Sequence, residues 1–190
     1  MSAGTSSELV HPDPEVRYRA LLELEPPQLE LLLARLSDES WRVRRAAVER
    51  LVSLPDRAAA VEPLLMKLAD GDDAGARNAA AEALTRLGRA ALPGLQARLR
   101  DPDVDVRKFA CDVLGEIGDG GAVPALVQAL EDGDCNVRAA AAEALGKLGG
   151  PEACAALERQ LGEPHDPLVT AALDGLARLR HAPPLATLLP

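Results

Sequence analysis

The strongest constraint on this chain is a phrase the length of a helix that returns almost unchanged. "DVDVRKFACDVLGEIG" at 103–118 comes back as "DCNVRAAAAEALGKLG" at 134–149. Aligning the chain on this phrase puts Val16, Val43, Ala76, Val106, Val137 and Val169 in one column, with Arg17, Arg44, Arg77, Arg107, Arg138 and Thr170 in the next. Successive members are 27, 33, 30, 31 and 32 residues apart, which is the length of a helical hairpin. The unequal spacing fits a natural array better than a consensus design.

The columns predict where each repeated helix starts and stops. Three residues before the Val column stand Asp13, Ser40, Asp73, Asp103, Asp134 and Asp166, all able to accept a free N–H as an N-cap. Pro14 and Pro167 follow two of them, at a position where the missing N–H has no intrahelical partner. Gly88, Gly118 and Gly149 stand twelve residues after the column, where a left-handed turn ends a helix. Between these two signals apolar residues recur at i, i+3, i+4 and i+7. The stripe is Val106, Phe109, Ala110, Val113, Leu114 and Ile117 in one copy, and Val137, Ala140, Ala141, Ala144, Leu145 and Leu148 in the next. Shorter apolar helices, such as "AVEPLLMKL", "AALPGLQARL", "AVPALVQAL" and "EACAALERQL", fill the intervals, each with an acid after it: Asp38, Asp70, Asp101, Asp132 or Glu163.

Composition supports an all-α reading. The chain of 190 residues is 47% hydrophobic and only 2% aromatic, so Leu, Ala and Val must form the core. The formal charge of −9 disfavours binding to a phosphate backbone, and no nucleic-acid partner is expected. No apolar run is long enough for a membrane span, and the start "MSAGTSSELV" does not read as a leader. The three cysteines, Cys111, Cys135 and Cys154, have no paired spacing, which points to a reducing compartment, the cytoplasm.

"VPALVQALEDGDCNVRAAAAEALGKLG" resembles a HEAT repeat of the phycobilisome (PBS) lyase-like subtype, and the resemblance extends over about residues 11–180. It implies an armadillo-like, right-handed α-solenoid of about five to six helical hairpins, with the second helices lining the concave face. Residues 1–10 are expected to form a flexible segment or a short capping turn, and residues 181–190, "APPLATLLP" with the preceding His, a cap or the start of a further repeat. An apolar end left open there would invite self-association.

The resemblance also implies that the inter-helix acids and the column arginines tie neighbouring turns into a ladder, pairing Asp38, Asp70, Asp101 and Asp132 with Arg44, Arg77, Arg107 and Arg138. Repeat three breaks step: Gly71 fills the aligned slot and Asp70 lies one residue early, so a turn insertion is expected.

The candidate partner-binding residues are those expected to be exposed on the second helices. Two and six positions past the Val column these include Tyr18, Arg45, Glu49, Asn78, Glu82, Lys108, Asp112 and Glu143. Being four apart on one helix, Arg45–Glu49 and Lys108–Asp112 can pair. The face is expected to be acidic in its middle, apolar at Tyr18 and Leu22, and smooth at Ala139, Ala142 and Ala171. Trp41, at the first position of a helix, can cover the neighbouring hairpin or lie exposed as an anchor, and packing is the expected role; Phe109 is expected to lie in the core.

Catalytic signals are sparse. His11, His165 and His181 are scattered, and none is followed by the Glu that iron-binding HEAT-repeat hydroxylases carry in paired motifs. No His/Cys spacing suits a metal, and no cofactor is expected. Three functions remain open. The first is a non-catalytic scaffold binding an unidentified protein on the concave face. The second is a subunit of a bilin or phycobiliprotein lyase-like enzyme. The third, a HEAT-like DNA glycosylase, fits the acidic composition poorly.

Overall fold

The computed structural model describes residues 7–161 and 167–179, and among them there are helices and turns but no strand. The expectations for His165, Asp166, His181 and 181–190 lie outside the described residues. The chain divides into two compact units, residues 1–91 and 92–190.

In the first unit, α1 (Pro14–Glu23), α3 (Trp41–Val52) and α5 (Ala74–Leu87) are the repeated helices. The shorter α2 (Leu29–Ala34) and α4 (Val61–Leu68) alternate with them. Each repeated helix packs on the next, α1 on α3 and α3 on α5, while α2 and α4 pack against α3 and α5 respectively. Leu21, Leu32, Leu36, Leu51, Leu64, Leu65, Leu68 and Leu84 are fully enclosed between these two layers. Leu9 is buried too, and Arg35 Nη1 donates to its carbonyl at 2.5 Å.

The second unit repeats the plan. The long helices are α7 (Val104–Ile117), α9 (Cys135–Leu148) and α11 (Pro167–Arg178), and α6 (Leu92–Arg98), α8 (Val123–Ala129) and α10 (Pro151–Glu158) are the short ones. Alanine is as prominent in its core, with Ala110, Ala141, Ala142, Ala153, Ala156 and Ala172 wholly buried.

The local signals explain these boundaries. Asp73 Oδ1 accepts the Ala76 N–H at 2.8 Å, Asp103 the Asp105 N–H at 2.8 Å, and Asp134 those of Asn136 and Val137. Ser40 departs from the expected pattern, for its side chain makes no cap bond. Asp38 has taken that region instead, accepting the Ser40 N–H at 2.9 Å. At the other ends Gly88, Gly118 and Gly149 have φ of 61°, 72° and 70°, a backbone region that costs a β-carbon dearly.

Three core expectations are corrected. Phe109 is half-buried, with Lys108 Nζ 5.5 Å from its ring centre, and Ile117 and Leu148 are half-buried too. All three lie on the flank of the apolar stripe, where its width exceeds what the neighbouring helices cover.

Candidate functional site

The column arginines reveal the local design. Four of them use Nη1 to hold the two turn carbonyls that precede their own helix. Arg17 donates to His11 O and Pro12 O at 2.7 and 2.9 Å, and Arg44 to Asp38 O and Glu39 O at 2.7 and 3.0 Å. Arg107 donates to Asp101 O and Pro102 O at 2.9 and 3.2 Å, and Arg138 to Asp132 O and Gly133 O at 2.9 and 3.3 Å. Arg77 Nη1 lies 3.5 Å from Asp70 O.

The opposite edge of the guanidinium then reaches forward. Arg17 Nε and Nη2 grip the Asp38 carboxylate at 2.7 and 2.8 Å, and Arg107 grips Asp132 at 2.8 and 3.0 Å. Two parallel donors on two oxygens make the strongest ion-pair geometry available to arginine. Both acids also hold the N–H two residues on, Ser40 at 2.9 Å and Asp134 at 2.9 Å. Burial pushes the Asp38 carboxyl up, but Arg17, the Ser40 N–H and Arg35 together bring it below the usual range. For Asp132 the Arg107 bond is the chief cause of the lowering, opposed by burial and helped by the Asp134 N–H.

Sequence reasoning left Arg17 out of the expected rungs, although it makes the more buried of these two pairs, with side chains 7% and 3% exposed. The signal was its place in the Arg column. The expected members Asp38 and Arg44 meet only through the backbone, because the carboxylate of Asp38 turns back to the preceding repeat. Asp70 directs its carboxylate to the Asp72 N–H at 3.2 Å. Asp101 holds the Asp103 N–H at 3.0 Å and lies 3.5 Å from Arg98.

On the second-helix face of the first unit, the main surprise is Trp41. It does not cover a hairpin; it stands at the first position of α3 and is 65% exposed. It lines two adjoining grooves. One, of about 310 Å³, is bounded by Trp41, Arg44, Arg45, Gly75, Asn78 and Glu82. The other, of about 270 Å³, is bounded by Tyr18, Trp41, Arg42, Arg45 and Glu49. Arg42 lies over the Tyr18 ring, 4.1 Å from its centre, and binds Glu15 at 2.7 Å. The structure therefore brings Tyr18, Arg45, Glu49, Asn78 and Glu82 to one face, and adds Trp41 and Arg42.

The acids of this face are already paired. Arg45 Nε is 3.3 Å from Glu49, Arg86 Nη1 is 3.7 Å from Glu82, and in the second unit Lys108 Nζ is 2.8 Å from Asp112. Glu143 is exposed on α9. The smooth alanine surface expected in this unit is corrected: Ala142 and Ala171 are 0% and 7% exposed. Their helices come too close to leave it open. A β-carbon built on Gly146 would lie 2.5 Å from Gly175 Cα, and one on Gly115 2.9 Å from Ala144 Cα.

The described residues offer little for covalent chemistry. Cys111 is buried, and burial, then Asp112 and Asp132, push its thiol up to about 12. Among the described residues no group of three or more His, Cys, Asp or Glu side chains could hold a metal ion.

Comparison with known proteins fits this geometry. Residues 4–85 and 92–177 match the family model described as HEAT repeats. Over 124 residues, 58% of this chain and 60% of the relative, the chain is 32% identical to "Uncharacterized phycocyanin operon protein Z" of Pseudanabaena tenuis. It thus spans about 60% of that relative's length. Human deoxyhypusine hydroxylase, solved in complex with glycerol, aligns over 95% of this chain and 84% of its own at 20% identity, with a TM-score of 0.55. At that identity the likeness concerns the fold. The complex of CpcE and CpcF of phycocyanin lyase from Nostoc sp. aligns over 92% of this chain and 75% of its own at 28% identity, with a TM-score of 0.45.

Proposed function

We propose that this chain, which belongs to the HEAT-repeat family, is a non-catalytic adaptor that docks a partner protein on its second-helix face. In the first unit Tyr18, Trp41, Arg45, Glu49, Asn78 and Glu82 would contact the partner, and in the second Lys108, Asp112 and Glu143. The observation that carries this reading is Trp41, 65% exposed between two grooves. An indole left in water at the first turn of a helix contributes little to this fold. Buried in an interface, a large apolar side chain is worth about 1.5–3 kcal/mol, and Trp, Tyr and Arg dominate binding hot spots. Stacked repeats offer such side chains along an extended surface. We place the activity in the cytoplasm, in keeping with three unpaired cysteines; among the described residues no helix is long and apolar enough to cross a membrane.

The test is capture of a stoichiometric partner on the full chain, followed by titration of Trp41→Ala. Affinity should fall at least tenfold while the melting temperature stays unchanged. Equal affinity would remove Trp41, and with it the reading.

A second reading makes the chain a subunit of a bilin or phycobiliprotein lyase-like enzyme. Its support is the 32% identity to a protein named for a phycocyanin operon. Mixing the chain with a bilin and following the visible spectrum tests it. A shifted, saturable band would favour this reading, and an unchanged spectrum would count against it.

A further inference from the structure

We propose that Arg44 is an unfilled rung of the arginine–aspartate ladder, and that the docked partner fills it with a carboxylate side chain. The inference rests on the docking reading above and gives the partner a chemistry.

Arg44 begins as its column mates do, with Nη1 on the carbonyls of Asp38 and Glu39. Arg17 and Arg107 then close Nε and Nη2 on the acid of the next repeat. Arg44 closes on nothing comparable: no carboxylate of the described residues is paired with it. The cause is one residue long. The ladder acid stands two before the helix cap in the pairs Asp38–Ser40 and Asp132–Asp134. In the repeat after Arg44 the cap is Asp73 and the slot holds Gly71, which has no side chain to offer. Asp70, one residue early, makes the same bond to the N–H two residues on as Asp38 and Asp132 do, at Asp72, but from the shifted position its carboxylate is not paired with Arg44.

The guanidinium lies along the wall of the groove of about 310 Å³, beside Trp41, Arg45, Asn78 and Glu82. Gly75 makes room for it, since a β-carbon there would sit 3.3 Å from Arg44 Cζ. The acids nearby are committed elsewhere: Glu82 to Arg86 at 3.7 Å, Glu49 to Arg45 at 3.3 Å, and Asp73 Oδ1 to the Ala76 N–H at 2.8 Å. An arginine fork with its two forward donors open matches a carboxylate in shape and charge. The chain itself displays the product twice, at Arg17–Asp38 and Arg107–Asp132. The fitting occupant is an exposed segment of the partner with an Asp or Glu on Arg44 and an apolar neighbour on Trp41.

The experiment uses two capped pentapeptides, one alternating leucine with aspartate and the other leucine with asparagine. Each is titrated into the full chain while the Arg44 Nε–H and the indole N–H of the single tryptophan are followed by NMR. The aspartate peptide should shift both signals saturably and bind at least tenfold more tightly than the asparagine peptide. Gly71→Asp supplies the missing acid from within. Its β-carbon would meet nothing within 4 Å, so the variant should fold, melt about 2–4 °C higher, and lose the tenfold preference. Equal binding of the two peptides, abolished by Trp41→Ala, would overturn the carboxylate and leave docking on this face standing. No shift with either peptide, or an unchanged preference in Gly71→Asp, would also overturn it.

Discussion

Residues 1–91 and residues 92–190 repeat one helix, yet they differ in where they put bulk. Nine positions past the Val column the second unit has Gly115 and Gly146, where the first has Val52 and Thr85. With glycine there, α9 meets α11 through Gly146 and Gly175, and α7 meets α9 through Gly115 and Ala144. Ala142 and Ala171 lie buried beside that contact, and Val48, which shares the column of Ala142, is fully buried in the first unit as well. The first unit has larger side chains in that column, and nearer the helix starts its second-helix face carries grooves with Trp41 exposed above them. The same template therefore gives close-packed helices in one unit and a surface suited to recognition in the other.

The sharpest way to break this contrast is to exchange the bulk. Gly146→Val should destabilise the chain by more than about 3 kcal/mol, since a branched side chain would be driven into the backbone of α11. Thr85→Val, in the matching column of the first unit, loses only the hydroxyl bond to Ala81 O at 2.9 Å and should cost under about 1 kcal/mol. Urea denaturation of the two variants makes the comparison. Near-equal losses would mean that the second unit is not held by close helix approach.

The arginines give a graded second comparison. Arg17→Ala strands the buried Asp38 carboxylate and should cost about 3–5 kcal/mol. Arg107→Ala leaves Asp132 more accessible, its side chain 12% exposed, and should cost about 2 kcal/mol. Arg44→Ala has only the carbonyl bonds to lose and should cost about 1 kcal/mol. Acid sorts the three in the same way. The Asp38 and Asp132 carboxyls are depressed from 3.8 in the folded chain, so their contribution is complete above that value and is lost as pH falls through the folded pKa. Melting curves between pH 5 and about 2 should show a steep acid limb in the parent chain and in Arg44→Ala. The limb should be shallower in Arg17→Ala and Arg107→Ala.

Much of this was legible in the sequence because backbone chemistry writes itself into single residue types. A cap needs an oxygen, a left-handed stop favours glycine, and an inserted residue in a turn shows as a shift from Gly71 to Asp70. Those signals located the helices and the break in the ladder. Trp41 and Ala142 were misjudged because exposure depends on how near the next helix comes. That distance is set by glycines on two helices at once, and Gly146 opposite Gly175 is not a pattern within one repeat. Arg17 falls outside the expected rungs because each acid was matched with the arginine that follows it, whereas the carboxylate of Asp38 is held by the arginine of the preceding repeat.

The smallest expected effect concerns the charged face itself. Reversing Glu49 and Glu82 to Lys removes two exposed ion pairs, and such pairs contribute at most about 0.5–1 kcal/mol each, so the melting temperature should move little. Partner affinity, read by calorimetry, should fall about tenfold, or 1.4 kcal/mol, if the first unit holds the contact surface. Reversing Asp112 and Glu143 in the second unit should cost less, because the packing of Ala142 leaves fewer side chains there for a partner to grip. A larger loss from the second pair would move the docking surface to α7 and α9 and leave Trp41 without a role in binding.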